Sequence, residues 1–177
     1  MGVIMINIPG YEIYELLFDS EHSFVYRGKQ SDIGRNVVLK IMKSEYPEPE
    51  EIARFRREFE ITRQLKQEGI INVYEFRQYQ QHWMMVLEDF GGESLIRLRK
   101  TNMLPNDLQG ILRIAIRVAE IVGDIHRRNV IHKGINPSNI VLNPDTDMLK
   151  IIDFGISTVL RSVSVSQFEL ARSDGFV

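Results

Sequence analysis

The sequence predicts an α+β protein with a sheet-rich first half and a more helical second half. Short runs of β-branched and aromatic residues, separated by polar segments, fill most of the first half. After residue 105 comes a long stretch with apolar residues at helical spacing. A chain of 177 residues is long enough for one ordinary domain, or for two small lobes that share a cleft.

Five strands are predicted in the first half. Each is rich in β-branched or aromatic residues and is bounded by polar or turn-forming residues. They cover residues 11–17, 23–28, 36–43, 71–79 and 82–88. The short connections between most of them indicate a mostly antiparallel sheet.

One helix is predicted between the third and fourth strands. Pro49 suits its first turn, where no backbone N–H is needed, and Glu50 and Glu51 complement the positive end of the helix. Gly69 is the expected end of this helix. One face of it is apolar and carries Ile52, Phe55, Phe59 and Leu65.

A second helix is predicted after Pro105. Asn106 or Asp107 would cap its start, and Asn129 can take the left-handed conformation that ends a helix. The glycines at 91–92 are the expected hinge before it. An apolar stripe is predicted along this helix, opposite a charged one, and consists of Ile111, Ala115, Val118, Val122 and Ile125.

Two short strands, 139–142 and 149–152, are predicted after the second helix. The expected organisation is a first lobe at 8–90 and a second at 91–160. The pattern then weakens, so residues 161–177 stay unassigned.

Composition excludes several classes of function. The net charge of −2 gives no reason to expect nucleic acid as the main partner. The sequence has no cysteine, and therefore no disulfide framework or thiolate metal site. No apolar run approaches the length of a membrane span, and the first residues lack the positive segment of a signal peptide. A cytoplasmic location is therefore expected.

The order of the chemically distinctive residues is more specific than any single motif. A strand ends in V-V-L-K, a helix carries R-R-E-F-E, and a later strand ends in L-E-D-F-G-G. H-x-x-x-x-x-x-N and D-F-G follow, beginning at His132 and Asp153. In this order, roughly residues 10–160 resemble a serine/threonine-type protein kinase. The resemblance implies a complete N-lobe, with a five-stranded antiparallel sheet plus one helix, and a partial helical C-lobe.

The resemblance also implies ATP and Mg²⁺ as cofactors. Lys40 would contact the α- and β-phosphates, and Glu58 would hold its ammonium group in place, with Glu60 as the alternative partner. Asn139 and Asp153 would supply oxygen ligands for Mg²⁺.

The segment between the two lobes would bind adenine. The backbone around Glu88 and Phe90 would meet the edge of the base. Val25 and Val38 would cover its faces, although both valines could equally be ordinary core residues.

The loop that would cover the phosphates departs from the family pattern. Kinases have a glycine-rich loop here because the backbone must approach phosphate closely. This sequence has Phe18, Ser20 and Ser23 at the glycine positions, and Asp19 and Glu21 add negative charge. Weaker ATP binding is expected, but not its loss.

The catalytic loop departs further. Gly134 stands where the family has the aspartate that accepts the substrate proton, and a glycine cannot do this. General-base catalysis is typically worth about 10²–10⁴ in rate. Asn136 replaces a lysine that usually assists the γ-phosphate. The form H-K-D-I-N-P-S-N is usual in the N-terminal kinase domains of bacterial, cyanobacterial-type multi-sensor hybrid kinases, which this chain most resembles.

Three functions stay open. The first is kinase-type phosphoryl transfer from Mg·ATP to protein hydroxyls, impaired by Gly134 and by truncation after D-F-G. The second is a pseudokinase that binds nucleotide or docks to a partner. The third is a non-functional kinase fragment. The protein substrate or docking partner cannot be read from the sequence.

Overall fold

The structure, a computed structural model, describes residues 7–160. These residues form an α+β fold that contains a five-stranded antiparallel sheet and three helices, which confirms the predicted fold class. Residues 161–177, which the sequence left unassigned, lie outside the described residues, as do residues 1–6.

All five predicted strands of the first half are present. Their order in the sheet is β1-β2-β3-β5-β4, and every neighbouring pair is antiparallel. Their bounds are β1 Tyr11–Asp19, β2 Ser23–Gln30, β3 Arg35–Met42, β4 Val73–Tyr79 and β5 His82–Glu88. The observed ends differ from the predicted ones by no more than two residues.

Strand β3 shows how the sheet positions the site. Val37, Leu39 and Ile41 are fully buried in the core of the sheet. Because side chains alternate along a strand, Val38 and Lys40 point to the opposite face. That face borders the cleft described below.

Helix α1, Pro49–Gln64, begins as predicted, with Pro49 in its first turn and a capping box formed by Glu48 and Glu51. The expectation that Gly69 ends this helix is wrong. The chain leaves the helix at Leu65, whose N–H bonds to carbonyls of the last turn. Gly69 instead lies in the following loop with a φ of +81°, where a Cβ would come within 2.5 Å of Ile121.

The second half contains two small sheets and two helices. One sheet has the order β6-β8-β9, and the other pairs β7 with β10. The bounds are β6 Glu93–Ser94, α2 Leu95–Lys100, α3 Leu108–Arg127, β7 Val130–Ile131, β8 Ile140–Asn143, β9 Met148–Ile151 and β10 Thr158–Val159. Helix α2 was not predicted. It spans only six residues and is capped by Ser94, whose hydroxyl accepts a hydrogen bond from Arg97 N–H.

Helix α3 has its predicted caps, and part of its predicted apolar stripe packs into the core. Asp107 caps its start, and Asn129 follows its end with a φ of +59°. The C-terminal part of the predicted stripe packs into the core through Val118, Val122 and Ile125. The other part of the stripe is exposed at Ile111, by 52%, and at Ala115. The helix also packs into the core through Ile114 and Ile121, and its exposed apolar side chains are Leu108, Ile111, Leu112 and Ile116.

A single apolar cluster joins α1 to the second half. Ile61 and Leu65 of α1 pack with Ile121 and Ile125 of α3 and with Phe154 of the D-F-G motif. The division into lobes at residues 90 and 91 stays a prediction. Within residues 7–160 no helix is long and apolar enough to cross a membrane.

We predict that two isoleucines of α3 differ sharply in their effect on stability. Ile125→Ala removes a side chain with 0% exposure and should lower the free energy of unfolding by about 2–5 kcal/mol. Ile116→Ala, at a position 57% exposed, should change it by less than about 0.5 kcal/mol. Urea unfolding of both variants checks this. Equal losses would contradict the packing described for α3.

Candidate active site

A cleft with a volume of about 250 Å³ lies between the five-stranded sheet and the second half of the chain. All of the residues predicted to bind nucleotide or metal line this one cleft. They are Phe18, Val25, Val38, Lys40, Glu58, Glu88, Phe90, Asn139 and Asp153. Gly134 and Asn136 are not among its lining residues. The roles predicted for these residues stay predictions, since geometry alone does not test them.

The centre of the site is an ion-pair cluster around Lys40. Its Nζ donates to Glu58 Oε1 at 2.6 Å and to Asp153 Oδ1 at 3.2 Å. Three separate elements therefore meet at one ammonium group: β3, α1 and the D-F-G turn. Glu58 is the buried partner, whereas the alternative, Glu60, is exposed.

Burial and charge compete within this cluster. Burial would lower the pKa of Lys40, but the two carboxylates outweigh it and hold that pKa above its usual value. Burial would raise the pKa of Asp153, yet the nearby ammonium group keeps it below its usual value. The pKa of Glu58 is raised by burial, which Lys40 offsets only in part. The cluster thus keeps Lys40 and Asp153 charged at neutral pH.

Asn139 and Asp153 fit the requirements of a Mg²⁺ site that is completed by phosphate. The Asn139 atom at 2.9 Å from the carbonyl of Gly134 must be its Nδ2 donor, so its Oδ1 is available as a ligand. The Asp153 side chain is 44% exposed to the cleft. Among the described residues, no cluster of three or more His, Cys, Asp or Glu is placed to hold a metal alone. Mg²⁺ is commonly bound by one or two protein groups together with substrate phosphates.

His132 organises the loop that contains Gly134. The ring Nδ1 lies 3.1 Å from Gly134 N–H, and Nε2 lies 3.0 Å from the carbonyl of Ile152. Because one neighbour is a donor and the other an acceptor, the ring must be neutral with its proton on Nε2. Burial lowers the pKa of His132, which favours the same form.

The backbone at Gly134 could carry a side chain. Its φ does not lie in the left-handed region, and an added Cβ would approach His132 and Ile156 no closer than 3.4 Å, an ordinary contact. Asn136, by contrast, is engaged within the loop: it donates to the carbonyl of Gly134 and accepts from Ser138 N–H. The shape of the loop therefore does not require a glycine at position 134.

Residues 88–90, the segment between the halves, already form hydrogen bonds within the protein. The Glu88 carboxylate accepts hydrogen bonds from Asn72 and from Lys150. Burial would raise the pKa of Glu88, but these bonds hold it below its usual value. The carbonyl of Phe90 accepts a hydrogen bond from Asn143 Nδ2 at 2.6 Å.

Serines hold the turn that replaces the glycine-rich loop. Ser20 Oγ accepts from Ser23 N–H at 2.9 Å, and Ser20 N–H donates to the carbonyl of Ser23 at 3.0 Å. Phe18 lines the cleft and is 56% exposed. Asp19 forms an ion pair with Lys43, so the negative charge expected near the phosphates is partly neutralised there.

Three further charged residues line the cleft and were not predicted: Arg27, Glu93 and Arg97. Most of their partners are distant in sequence, apart from the Glu93–Arg97 pair, which is four residues apart. A weak signal existed, because Arg27 pairs across the β1–β2 hairpin with Glu15, and opposite charges at facing positions of a predicted hairpin indicate a contact.

The sequence profile of the protein kinase domain matches residues 11–173. The chain belongs to the protein kinase family. Members of this family in general use ATP and Mg²⁺ and act on protein substrates, which agrees with the cluster around Lys40.

Individual kinases match over most of this chain. It is 28% identical to a probable serine/threonine-protein kinase of Clostridium acetobutylicum over 158 residues, covering 89% of this chain and 23% of that protein. It is 29% identical over 164 residues to the serine/threonine-protein kinase PknA of Mycobacterium tuberculosis, covering 89% and 37%. The chain thus spans a minor part of these relatives. The finer resemblance to bacterial hybrid kinases stays a prediction.

We predict that Lys40 and Glu58 are coupled in stability. Lys40→Met leaves the carboxylate of Glu58 buried without its main partner and should lower the free energy of unfolding by about 3–5 kcal/mol. Adding Glu58→Leu removes that carboxylate and should restore part of the loss. Urea unfolding of both variants measures the coupling. A double variant less stable than Lys40→Met would show that the pair is not coupled in this way.

Proposed function

We propose that this chain is a serine/threonine kinase-type domain that binds Mg·ATP, with transfer to protein hydroxyls slowed by Gly134. The observation that supports it best is the cluster of Lys40, Glu58 and Asp153, which lies with Asn139 in one cleft. The family of the chain supports the same reading.

In this proposal each group has one task. Lys40, charged and held by Glu58, orients the phosphates. Asp153 and Asn139 hold Mg²⁺, which would neutralise charge on the phosphates. Val25 and Val38 contact the faces of the base. Positioning and charge neutralisation supply most of the catalysis in phosphoryl transfer, so most of the machinery is in place.

The missing task is acceptance of the substrate proton. Gly134 has no side chain, and the neighbouring imidazole of His132 already uses both ring nitrogens. Loss of general-base catalysis corresponds to about 3–5 kcal/mol of activation free energy. Transfer by the chain as it stands should therefore be slow.

A pseudokinase is the second candidate. Gly134 supports it, and so does the serine-held turn, which offers fewer close backbone approaches to phosphate than glycines would. Such a protein would bind nucleotide or a partner and act through its conformation. A cytoplasmic location and a protein partner of unknown identity belong to either proposal, and a non-functional fragment is the outcome if neither function is found.

We predict Mg²⁺-dependent binding of ATP, measured by calorimetric titration. Asp153→Asn should abolish the Mg²⁺ dependence because it removes the only charged ligand that we assign to the ion. Asp145→Asn, in the turn between β8 and β9, is the matched control and should bind ATP with the same Mg²⁺ dependence as the native chain. ATP at a hundredfold excess over its dissociation constant should add about 2.7 kcal/mol to the free energy of unfolding. A folded chain that binds no ATP would reject the nucleotide site.

We predict that Gly134→Asp raises the rate of transfer by about 10²–10⁴, since the backbone accepts a side chain there and the aspartate restores the base. Gly134→Asn is the matched control, because its amide has the same shape and cannot accept the proton. Incorporation of labelled phosphate into a general protein acceptor measures the rate. If both variants bind ATP and neither gains activity, the result favours the pseudokinase hypothesis.

A further inference from the structure

Four charged side chains form a closed ring of ion pairs at the cleft. Arg27 bonds to Glu15 at 2.8 Å and to Glu93 at 3.2 Å. Arg97 closes the ring, with Glu15 at 2.7 Å and Glu93 at 3.2 Å. We call these four residues the cleft ring. Each carboxylate in it contacts both guanidinium groups, so all four charges are balanced within the ring.

The cleft ring joins the two halves of the molecule. Glu15 and Arg27 belong to β1 and β2 of the large sheet, whereas Glu93 and Arg97 belong to β6 and α2 of the second half. Arg27 is fixed further by Asp89 Oδ2 at 2.9 Å and by the carbonyl of Gly92 at 3.0 Å. The ring therefore ties the sheet both to the connecting segment and to the first helix beyond it.

The ring is more shielded from water on one side than on the other. The side chains of Arg27 and Glu93 are only 14% and 23% exposed, so water screens them less than it would screen surface charges. Glu15 and Arg97 are 31% and 44% exposed and are screened more. Burial would raise the pKa of Glu15, but hydrogen bonds from Arg97 and Arg27 hold it below its usual value. Glu15 is thus charged, and the ring intact, at neutral pH.

The other contacts between the halves are both apolar and charged. At α1, Ile61 and Leu65 pack with Ile121 and Ile125, and separation there would expose apolar surface to water. Two further ion pairs also join the halves, Lys40 with Asp153 and Glu88 with Lys150.

The cleft ring differs from these contacts in its place. Because Arg27 also bonds to the carbonyl of Gly92, the ring lies beside the connecting segment. It should therefore restrict the angle between the halves, and breaking it should widen the range of that angle.

We propose that the cleft ring is a latch that holds the halves together at the cleft and limits the rate at which a nucleotide enters and leaves. Arg27, Glu93 and Arg97 line the same cleft as Lys40 and Asp153, but the proposed chemistry does not use them. Only the statement about nucleotide rests on the proposed function. The latch itself is a property of the chain without ligand.

The ligand-free test measures the distance between the halves. The sequence contains no cysteine, so Ile33→Cys and Met148→Cys, both at exposed positions, give specific sites for two spin labels. Dipolar electron paramagnetic resonance measures the distance between the two labels. In the labelled chain with an intact ring, the distribution of this distance should be narrow. Arg97→Gln and Glu15→Gln, which keep the size of the side chain but break the ring, should each broaden it.

The matched control is Arg127→Gln, which breaks an ion pair with Asp124 inside α3 and should leave the distribution unchanged. Circular dichroism confirms that each variant is folded. Two independent ring variants guard against a folding defect in either one. An unchanged distribution in a folded ring variant would overturn the latch.

The second test measures the kinetics of Mg·ATP binding by stopped flow. If the ring is a latch, Arg97→Gln should raise both the association rate and the dissociation rate of Mg·ATP about fivefold over the native chain. The dissociation constant should stay unchanged. Added salt should accelerate exchange in the native chain more than in the variant. A weaker dissociation constant with unchanged association would show that Arg97 binds the nucleotide directly, and would overturn the latch. If no nucleotide binds, the proposed function fails, while the spin-label distances still decide the latch.

Discussion

The ammonium group of Lys40 is the point on which the rest of the site depends. It lies between two carboxylates that would otherwise repel each other, one on α1 and one in the D-F-G turn. Because Glu58 is almost fully buried, its charge is tolerated only while Lys40 is present. A single side chain from the centre of the sheet thus fixes the position of a helix and of a turn more than a hundred residues later. Loss of Lys40 would therefore affect structure as well as ligand binding.

The loop around Gly134 is held by bonds to its backbone and not to a side chain at position 134. His132 still spans from Gly134 N–H to the carbonyl of Ile152, and Asn139 still bonds to the carbonyl of Gly134. These bonds use the backbone of residue 134, which any amino acid provides. The scaffold is therefore independent of the side chain at this position.

The sequence predicted the features that depend on local pattern. The strands followed from their β-branched and aromatic residues. The order of short motifs along the chain singled out Lys40, Glu58 and Asp153, which line one cleft. Features set by distant neighbours were not predictable. Which part of the apolar stripe of α3 is buried depends on what packs against it, so the sequence alone did not separate the buried Ile125 from the exposed Ile111. Two pairs of the cleft ring, Glu15 with Arg27 and Glu93 with Arg97, have local spacing, but their meeting joins residues up to 82 positions apart, which no local spacing could reveal.

Helix α3 has a practical consequence for handling the protein. Within residues 7–160, Leu108, Ile111, Leu112 and Ile116 stand uncovered along one side of it, each at least 49% exposed. A row of large aliphatic side chains of this kind favours self-association as the concentration rises. Concentrated solutions of the polypeptide should turn turbid at lower concentrations than the modest net charge alone would suggest. Substitution of Ile116 with lysine should raise the solubility.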